Sequence, residues 1–540
     1  MKMKQTASQE IFALLETINQ NLGEQVIRSY LQAGNQLVFH IPATSISQAA
    51  TWLFHQFTDI TLATVVASHE PPAGKNDAQF GVDFLFNIRQ PQAWVILKIE
   101  LPEASPSYPA ISPTIPAANW FEREIHDLFG IRATGTHLEP LVLHRDWPRP
   151  GHYPMRKDYT PAGIPIAEVP HQFHLTEGPG RHQVAVGPIH AGIIEPGHMR
   201  FNVTGEKIHQ FNVQLFYTHK GIEKMAEGKT VQDGLNLAEH ACGMCAFSHS
   251  VAYAMAAESL ASIQSPERAS YLRTILLEME RLANHFWDLS AICQAGGFPF
   301  GAMLAAGFRE TIVQICHDLT GHRFMRGINT IGGFKRDIAN SRLKQACRDL
   351  LCMRKEFDEW QALILGKGSL LDRLEKTGVI TKLTARNVGL VGPAARGSGI
   401  SQDVRRDYPY LMYGKFPPTI PTYPTGDALS RTKVRIDEVS VSIRLIEFLA
   451  NNMPEGPVLE EDMPSYRAHQ PGIMMVESAK GSLVHWLVLD ETGRIDRWHV
   501  RSASYMNWRG VAEATIGDNI VPDAPLVNKS FNLCYACVDR

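Results

Sequence analysis

Two pairs of cysteines, Cys242-Gly-Met-Cys245 followed by His249, and Cys534-Tyr-Ala-Cys537, are the residues of this 540-residue chain best suited by type and spacing to chemistry. Two residues between paired cysteines let both sulfurs turn toward one ion, and thiolates are soft ligands that suit zinc, nickel or iron. Spacing alone does not choose among those metals. Placement adds a constraint, because one pair lies mid-chain and the other near the last residue, Arg540, so the chain must fold almost completely before the site exists. The remaining cysteines, Cys293, Cys316, Cys347 and Cys352, are scattered through helical pattern and read as small buried hydrophobes. That leaves no cysteines for an iron–sulfur cluster in this chain.

The elements that must position these residues read as an α+β arrangement. Residues 1–160 form a small α/β domain. An amphipathic helix carries Ile11, Leu14, Leu15 and Ile18, and strand-like runs follow at 36–41, 61–67, 80–88 and 94–101. Residues 161–183 are a polar, Pro/Gly-containing linker, and 184–540 form a large, mainly helical domain. Within it a long helix is predicted from Ser265-Pro-Glu-Arg268, with serine as cap and proline in the first turn. Leu272, Ile275, Leu276, Met279, Leu282, Phe286 and Leu289 give that helix the stripe of a bundle core. Lone histidines such as His190 and His198 read as satisfied structural residues.

With charged residues at 20% and a formal net charge of -3, the composition offers no basic excess for nucleic acid. No apolar run is long enough for a membrane span, and the start lacks a secretory core, so the chain is expected in the cytoplasm. The glycine-rich loop Val391-Gly-Pro-Ala-Ala-Arg-Gly-Ser-Gly399 lacks the ending of a phosphate-binding loop, which argues against nucleotide binding there.

The segments carry a resemblance. Trp120-Phe-Glu-Arg-Glu-Ile-His-Asp-Leu-Phe-Gly130 and Tyr153-Pro-Met-Arg-Lys-Asp-Tyr159 resemble the C-type subunits of respiratory complex I. Glu122, Arg123, Glu124 and Asp127 there read as a solvated helix face suited to docking. Glu195-Pro-Gly-His-Met-Arg200, the cysteine pairs, the GPxxRxSG loop with Asp403 and Arg405, and the terminal CxxCxxR resemble the D-type subunits of complex I and their hydrogenase relatives. Together the chain resembles the large subunit of group 4 energy-converting [NiFe] hydrogenases of the formate hydrogenlyase and hydrogenase-4 type, which fuse the two modules.

The resemblance implies a Ni-Fe centre. Cys242 and Cys534 would be terminal thiolates on nickel, and Cys245 and Cys537 would bridge to an iron carrying cyanide and carbon monoxide. H2 would be cleaved heterolytically, with Cys534 or a nearby base taking the proton and Asp233 or Glu239 starting its route outward. Lys480 would lie over the open face of the metals, with His249, Arg396 and Ser504 around the cofactor. A [4Fe-4S] cluster is expected in an iron–sulfur small subunit resembling the B-type subunits of complex I. Further expected partners are ferredoxin-like electron-transfer proteins, antiporter-like and complex I H-type membrane proteins, and a formate dehydrogenase, on the cytoplasmic face of the inner membrane.

This sequence departs from the family pattern in three places. His240 replaces an arginine two residues before the first ligand, Glu477-Ser-Ala-Lys-Gly481 replaces EAPRG, and Asn532-Leu533 replaces Asp-Pro. These changes leave two rival readings: a hydrogenase-derived, quinone-interacting subunit without H2 turnover, and a scaffold locked by a four-cysteine zinc site.

Overall fold

The computed structural model describes residues 2–33, 35–70, 79–148, 151–160, 178–190, 195–462 and 465–540, with side chains from residue 9 onward. Two compact units emerge, Met1–His174 with Asn387–Gly389, and Leu175–Arg386 with Leu390–Arg540. Most of the expected linker lies outside the described residues. Its last part does not: Arg181–Val186 is already a strand, paired with His198–Thr204.

In the first unit the runs rich in Val, Ile and Phe make a five-stranded sheet. Its order is Arg28–Gln32, Gln36–His40, Ala93–Pro102, Gln79–Ile88 and Thr61–Glu70. Gln36–His40 pairs in parallel with Ala93–Pro102, and the other pairings are antiparallel. The first helix buries Ile11, Leu14 and Ile18 as its period requires.

The acidic helix Asn119–Phe129 corrects the expectation of a solvated face. Glu122, Glu124 and Asp127 are all buried. Glu122 accepts the amide of Ile111 at 2.7 Å, and Asp127 accepts those of Leu141 and Val142 at 2.8 and 2.9 Å. Arg123 donates to the carbonyls of Glu139 and Pro140. These charges therefore fasten loop backbone that would otherwise lose its hydrogen bonds to water on burial. The helix ends at Gly130, where φ is +78° and a β-carbon would stand 2.6 Å from the Tyr153 ring. Only glycine fits there.

The second unit is a helical core flanked by two antiparallel sheets. Its longest helix, Glu267–Ala295, starts after Pro266, and Ser265 bonds Ser270 instead of capping the backbone. Phe286, Phe308, Phe357 and Trp360 tie this helix to Pro299–Thr320 and Asn340–Leu365 through ring contacts of 5.4–6.4 Å. Cys293, Cys316 and Cys347 are buried as expected, but Cys352 is exposed. One sheet is Arg181–Val186, His198–Thr204 and Lys207–Gln214, and the other is Gly472–Ser478, Gly481–Leu489 and Ile495–Arg501. No helix among the described residues is long and apolar enough to cross a membrane.

The long helix is less apolar than its stripe suggests. Glu278, Arg281, His285 and Asp288 follow its turns and are all buried. Glu278 meets Arg281 and Arg405 at 3.2 Å each, and His285 meets Glu438 at 2.7 Å. Arg396 pairs with Glu438, Glu477 and Asp403 at 2.7, 2.9 and 3.1 Å. Each of these buried charges has an opposite charge in contact, the condition under which burial is tolerated.

Candidate metal centre

The first cysteine pair lies in the turn between helices Val231–Glu239 and Ala246–Ala261, and the second begins the short terminal helix Tyr535–Asp539. The second unit brings them together. The sulfurs of Cys242, Cys245 and Cys537 lie within 4.8 Å of one another, and Cys242 Sγ stands 3.5 Å from Cys534 Sγ. All four side chains are buried. The amides of Met244 and Cys245 point at Cys242 Sγ from 3.4 and 3.2 Å, as N–H groups aimed at a thiolate do.

The sulfurs hold each other's protons. Hydrogen bonds from the Cys242 and Cys537 thiols lower the Cys245 pKa, whereas Cys534, set against Cys242, is pushed up to about 12. Burial raises Cys242 and Cys537. Four thiolates cannot share this volume unless cations compensate them, and bound metal ions deprotonate coordinating thiols outright. The soft donor set therefore fits a thiolate-bound metal.

Three side chains complete the surroundings of Cys534 and Cys537. Glu195 Oε2 lies 3.6 Å from Cys534 Sγ and accepts the amides of Tyr535 and Ala536 at 2.6 and 3.0 Å. Burial first, and then Cys534, raise its pKa to about 7. Ser504 Oγ accepts the Cys534 amide at 3.2 Å, so Ser504 holds Cys534 through its backbone. His249 Nε2 stands 3.9 Å from Cys537 Sγ.

Lys480 is 2% exposed, not a surface lysine, and its ammonium is ion-paired with Asp288. Asp288 also accepts Arg435 Nε and Asn532 Nδ2, each at 2.8 Å. Asn532 lies two residues before Cys534, which ties this charged group to the Cys534 segment. The turn carrying Lys480 is set by close backbone packing, since a β-carbon at Gly392 would stand 2.3 Å from the Lys480 carbonyl oxygen. Asn507 seals the contact by donating to the carbonyls of Lys480 and Val391. The glycine-rich loop is thus a packing device.

Other sequence candidates have different surroundings. Asp233 is exposed and exchanges hydrogen bonds with Thr230 at the start of its helix, the ordinary work of a first-turn acid. Glu239 is buried, but its carboxylate accepts the Gly327 amide and the Ser250 hydroxyl. Neither acid hydrogen-bonds a sulfur. Arg396 is buried and pairs with three carboxylates, one of them Glu477 on strand Gly472–Ser478. His240 is exposed and bonds the Asn236 carbonyl. The acid that does reach a sulfur, Glu195, is absent from the residues that spacing picks out, although the motif Glu-Pro-Gly-His-Met-Arg contains it.

Beside Tyr535 lies an apolar cavity of about 170 Å³, lined among others by Met199, Phe201, Phe211, His190 and Lys529.

Comparison with known proteins follows the two units. The family pattern "Respiratory-chain NADH dehydrogenase, 30 Kd subunit" matches residues 39–164. "Respiratory-chain NADH dehydrogenase, 49 Kd subunit" matches 297–472 and 467–540, and "Nickel-dependent hydrogenase" matches 220–293. Formate hydrogenlyase subunit 5 of Escherichia coli (strain K12) is 36% identical over 83% of this chain and 80% of its own length. Hydrogenase-4 component G of the same organism is 36% identical over 83% of this chain and 79% of its own. Among solved structures, a chain of the membrane-bound sulfane sulfur reductase, an archaeal respiratory membrane complex, aligns with a TM-score of 0.63 at 27% identity, covering 67% of this chain and 99% of that one.

Proposed function

This chain belongs to the family of group 4 [NiFe] hydrogenase large subunits typified by formate hydrogenlyase and hydrogenase-4, and we propose that it catalyses the reversible oxidation of H2 at a four-cysteine Ni-Fe site. It is an oxidoreductase component with complex I-like modules. The observation that carries the proposal is the convergence of four buried sulfurs from distant parts of the chain.

In this reading Cys242, Cys245, Cys534 and Cys537 would together hold a nickel–iron centre whose iron would carry cyanide and carbon monoxide. A bound nickel–iron pair supplies the electrophilic site at which H2 is polarised. The protein's part is proton handling. Cys534 Sγ passes a proton to Glu195 Oε2, whose pKa of about 7 suits it to accept and release protons near neutrality. The Tyr535 and Ala536 amides keep that carboxylate on the sulfur. Lys480 and Arg435 balance Asp288, fixing charge beside the segment that leads into Cys534.

Electrons leave through a partner carrying a [4Fe-4S] cluster, since the described cysteines outside the site are dispersed and three of them are buried singly. Membrane proteins complete the assembly and hold it at the cytoplasmic face. Nickel and iron together in the protein purified with its native partners, with infrared bands from cyanide and carbon monoxide, are the expected result. Zinc alone would refute the reading in favour of a scaffold. The cavity beside Tyr535 favours a second reading, a quinone-interacting subunit, for which those bands would be missing and a quinone analogue would bind.

A further inference from the structure

Behind Cys537 stands a line of three buried rings from three elements. Trp498 Nε1 lies 3.2 Å from His485 Nδ1, His485 Nε2 lies 3.0 Å from His249 Nδ1, and His249 Nε2 lies 3.9 Å from Cys537 Sγ. Trp498 is on strand Ile495–Arg501, His485 on Gly481–Leu489 and His249 on helix Ala246–Ala261. The three side chains are 0–1% exposed. Tyr253, one turn beyond His249, packs edge-on against both Trp498 and His485 but sends its hydroxyl to the Val231 carbonyl, so it does not compete for their nitrogens.

The order of donors along this line is fixed by chemistry. An indole N–H can only donate, so His485 Nδ1 must accept. A neutral imidazole with an accepting Nδ1 carries its proton on Nε2, and that N–H donates to His249 Nδ1. By the same rule His249 carries its proton on Nε2, facing Cys537. A single donor-only group three links away thus decides whether the sulfur meets an N–H or a lone pair.

We propose that Trp498 and His485 are positioning residues that lock His249 in the tautomer whose N–H donates to the Cys537 thiolate. The inference rests on the four-cysteine metal reading, and it extends that reading to two residues that touch neither metal nor substrate. An N–H donated to Cys537 Sγ would withdraw electron density from that sulfur and hence from an iron held by it. Without the indole donor both imidazoles can adopt the opposite tautomer, and the sulfur then faces a lone pair.

The test uses the complex purified with its native partners and reads the infrared stretching bands of the iron's carbon monoxide and cyanide ligands. Trp498→Phe keeps an aromatic ring and removes the N–H, and its bands are expected to move to lower frequency at unchanged nickel and iron content. Adding His485→Gln, whose amide can donate to His249 without help from residue 498, is expected to return the bands toward the parent's. Should Trp498→Phe fail to fold, benzothienylalanine at 498 preserves the shape of tryptophan without its N–H and carries the same expectation. Bands unmoved by loss of the N–H would overturn the proposal while leaving the metal reading intact. A parent protein without such bands would overturn both.

Discussion

Replacing Lys480 probes stability and chemistry at once. Its ammonium is one of two cations on Asp288, a carboxylate fully removed from water. Stranding a buried charge costs about 3–5 kcal/mol, and because Arg435 and Asn532 stay on Asp288 the cost of Lys480→Ala should fall at or just below the lower end, about 2–3 kcal/mol. The pH dependence gives the loss a signature. Burial raises the Asp288 pKa, but Lys480 and then Arg435 more than offset it, leaving the group below its ordinary value. A depressed carboxyl contributes stability above its unfolded pKa of about 3.9 and loses that contribution as pH falls through the folded value. In the alanine variant Asp288 titrates higher, so the gap to the parent should be full near neutrality and narrow on acidification. Denaturant midpoints of both proteins, followed by tryptophan fluorescence at neutral and mildly acid pH, read this directly. In the metal-loaded complex, hydrogen–deuterium exchange activity should fall sharply in Lys480→Ala and be kept or raised in Lys480→Arg, whose planar fork can span both Asp288 oxygens. An alanine variant as stable and as active as the parent would refute the reasoning.

Glu195→Gln should keep the hydrogen bonds from Tyr535 and Ala536 while losing the proton, lowering exchange activity by about 10²–10⁴-fold with metal content retained. Asp233→Asn, at an exposed helix start, should leave activity unchanged, and a large loss there would restore it to the proton route. Arg396→Met takes the ion pair from Glu477 and weakens the compensation of Asp403 and Glu438, which keep Arg405 and His285, so it should destabilise by about 3–5 kcal/mol, as thermal unfolding would report. Asn532→Asp would set a second carboxylate about 3 Å from Asp288, costing several kcal/mol at an effective dielectric near ~20, and Lys480→Arg in the same chain should recover part of the lost stability.

The cysteine pairs are legible in the sequence because their spacing is local, and their soft chemistry admits few partners elsewhere in the chain. Glu195 is not. Its contact with Cys534 spans 339 positions, and one acid in a loop carries no period or spacing to announce it. The available signal is the segment Glu195-Pro-Gly-His, in which the histidine is the more conspicuous ligand type and the acid is the residue that meets the sulfur. On the helix Glu267–Ala295 the apolar stripe does mark the core, but counting apolar residues is blind to charges on a helix buried on nearly all sides. By that count Glu278, Arg281, His285 and Asp288 resemble a solvated face, although their partners arrive from helix Ala428–Asn451, the 403–405 segment and the Lys480 turn. The acidic helix at 119–129 misleads in the same way, since its acids serve backbone amides from outside the helix.

The sequence departures at 480 and 532 gain a common explanation from Asp288. Read singly, a lysine for an arginine weakens a bidentate contact, and an asparagine for an aspartate removes a charge. In the fold both side chains bond the same oxygen, Oδ1 of Asp288. A lysine presents one point charge, enough to balance one carboxylate with Arg435 on the other oxygen, but unable to bridge two acids as a guanidinium can. With lysine at 480, an aspartate at 532 would leave two carboxylates in contact and one of them poorly compensated. Asparagine instead donates its amide N–H to Asp288 and removes the repulsion. Lysine at 480 and asparagine at 532 together thus keep the charge balance on Asp288 beside the Cys534 segment.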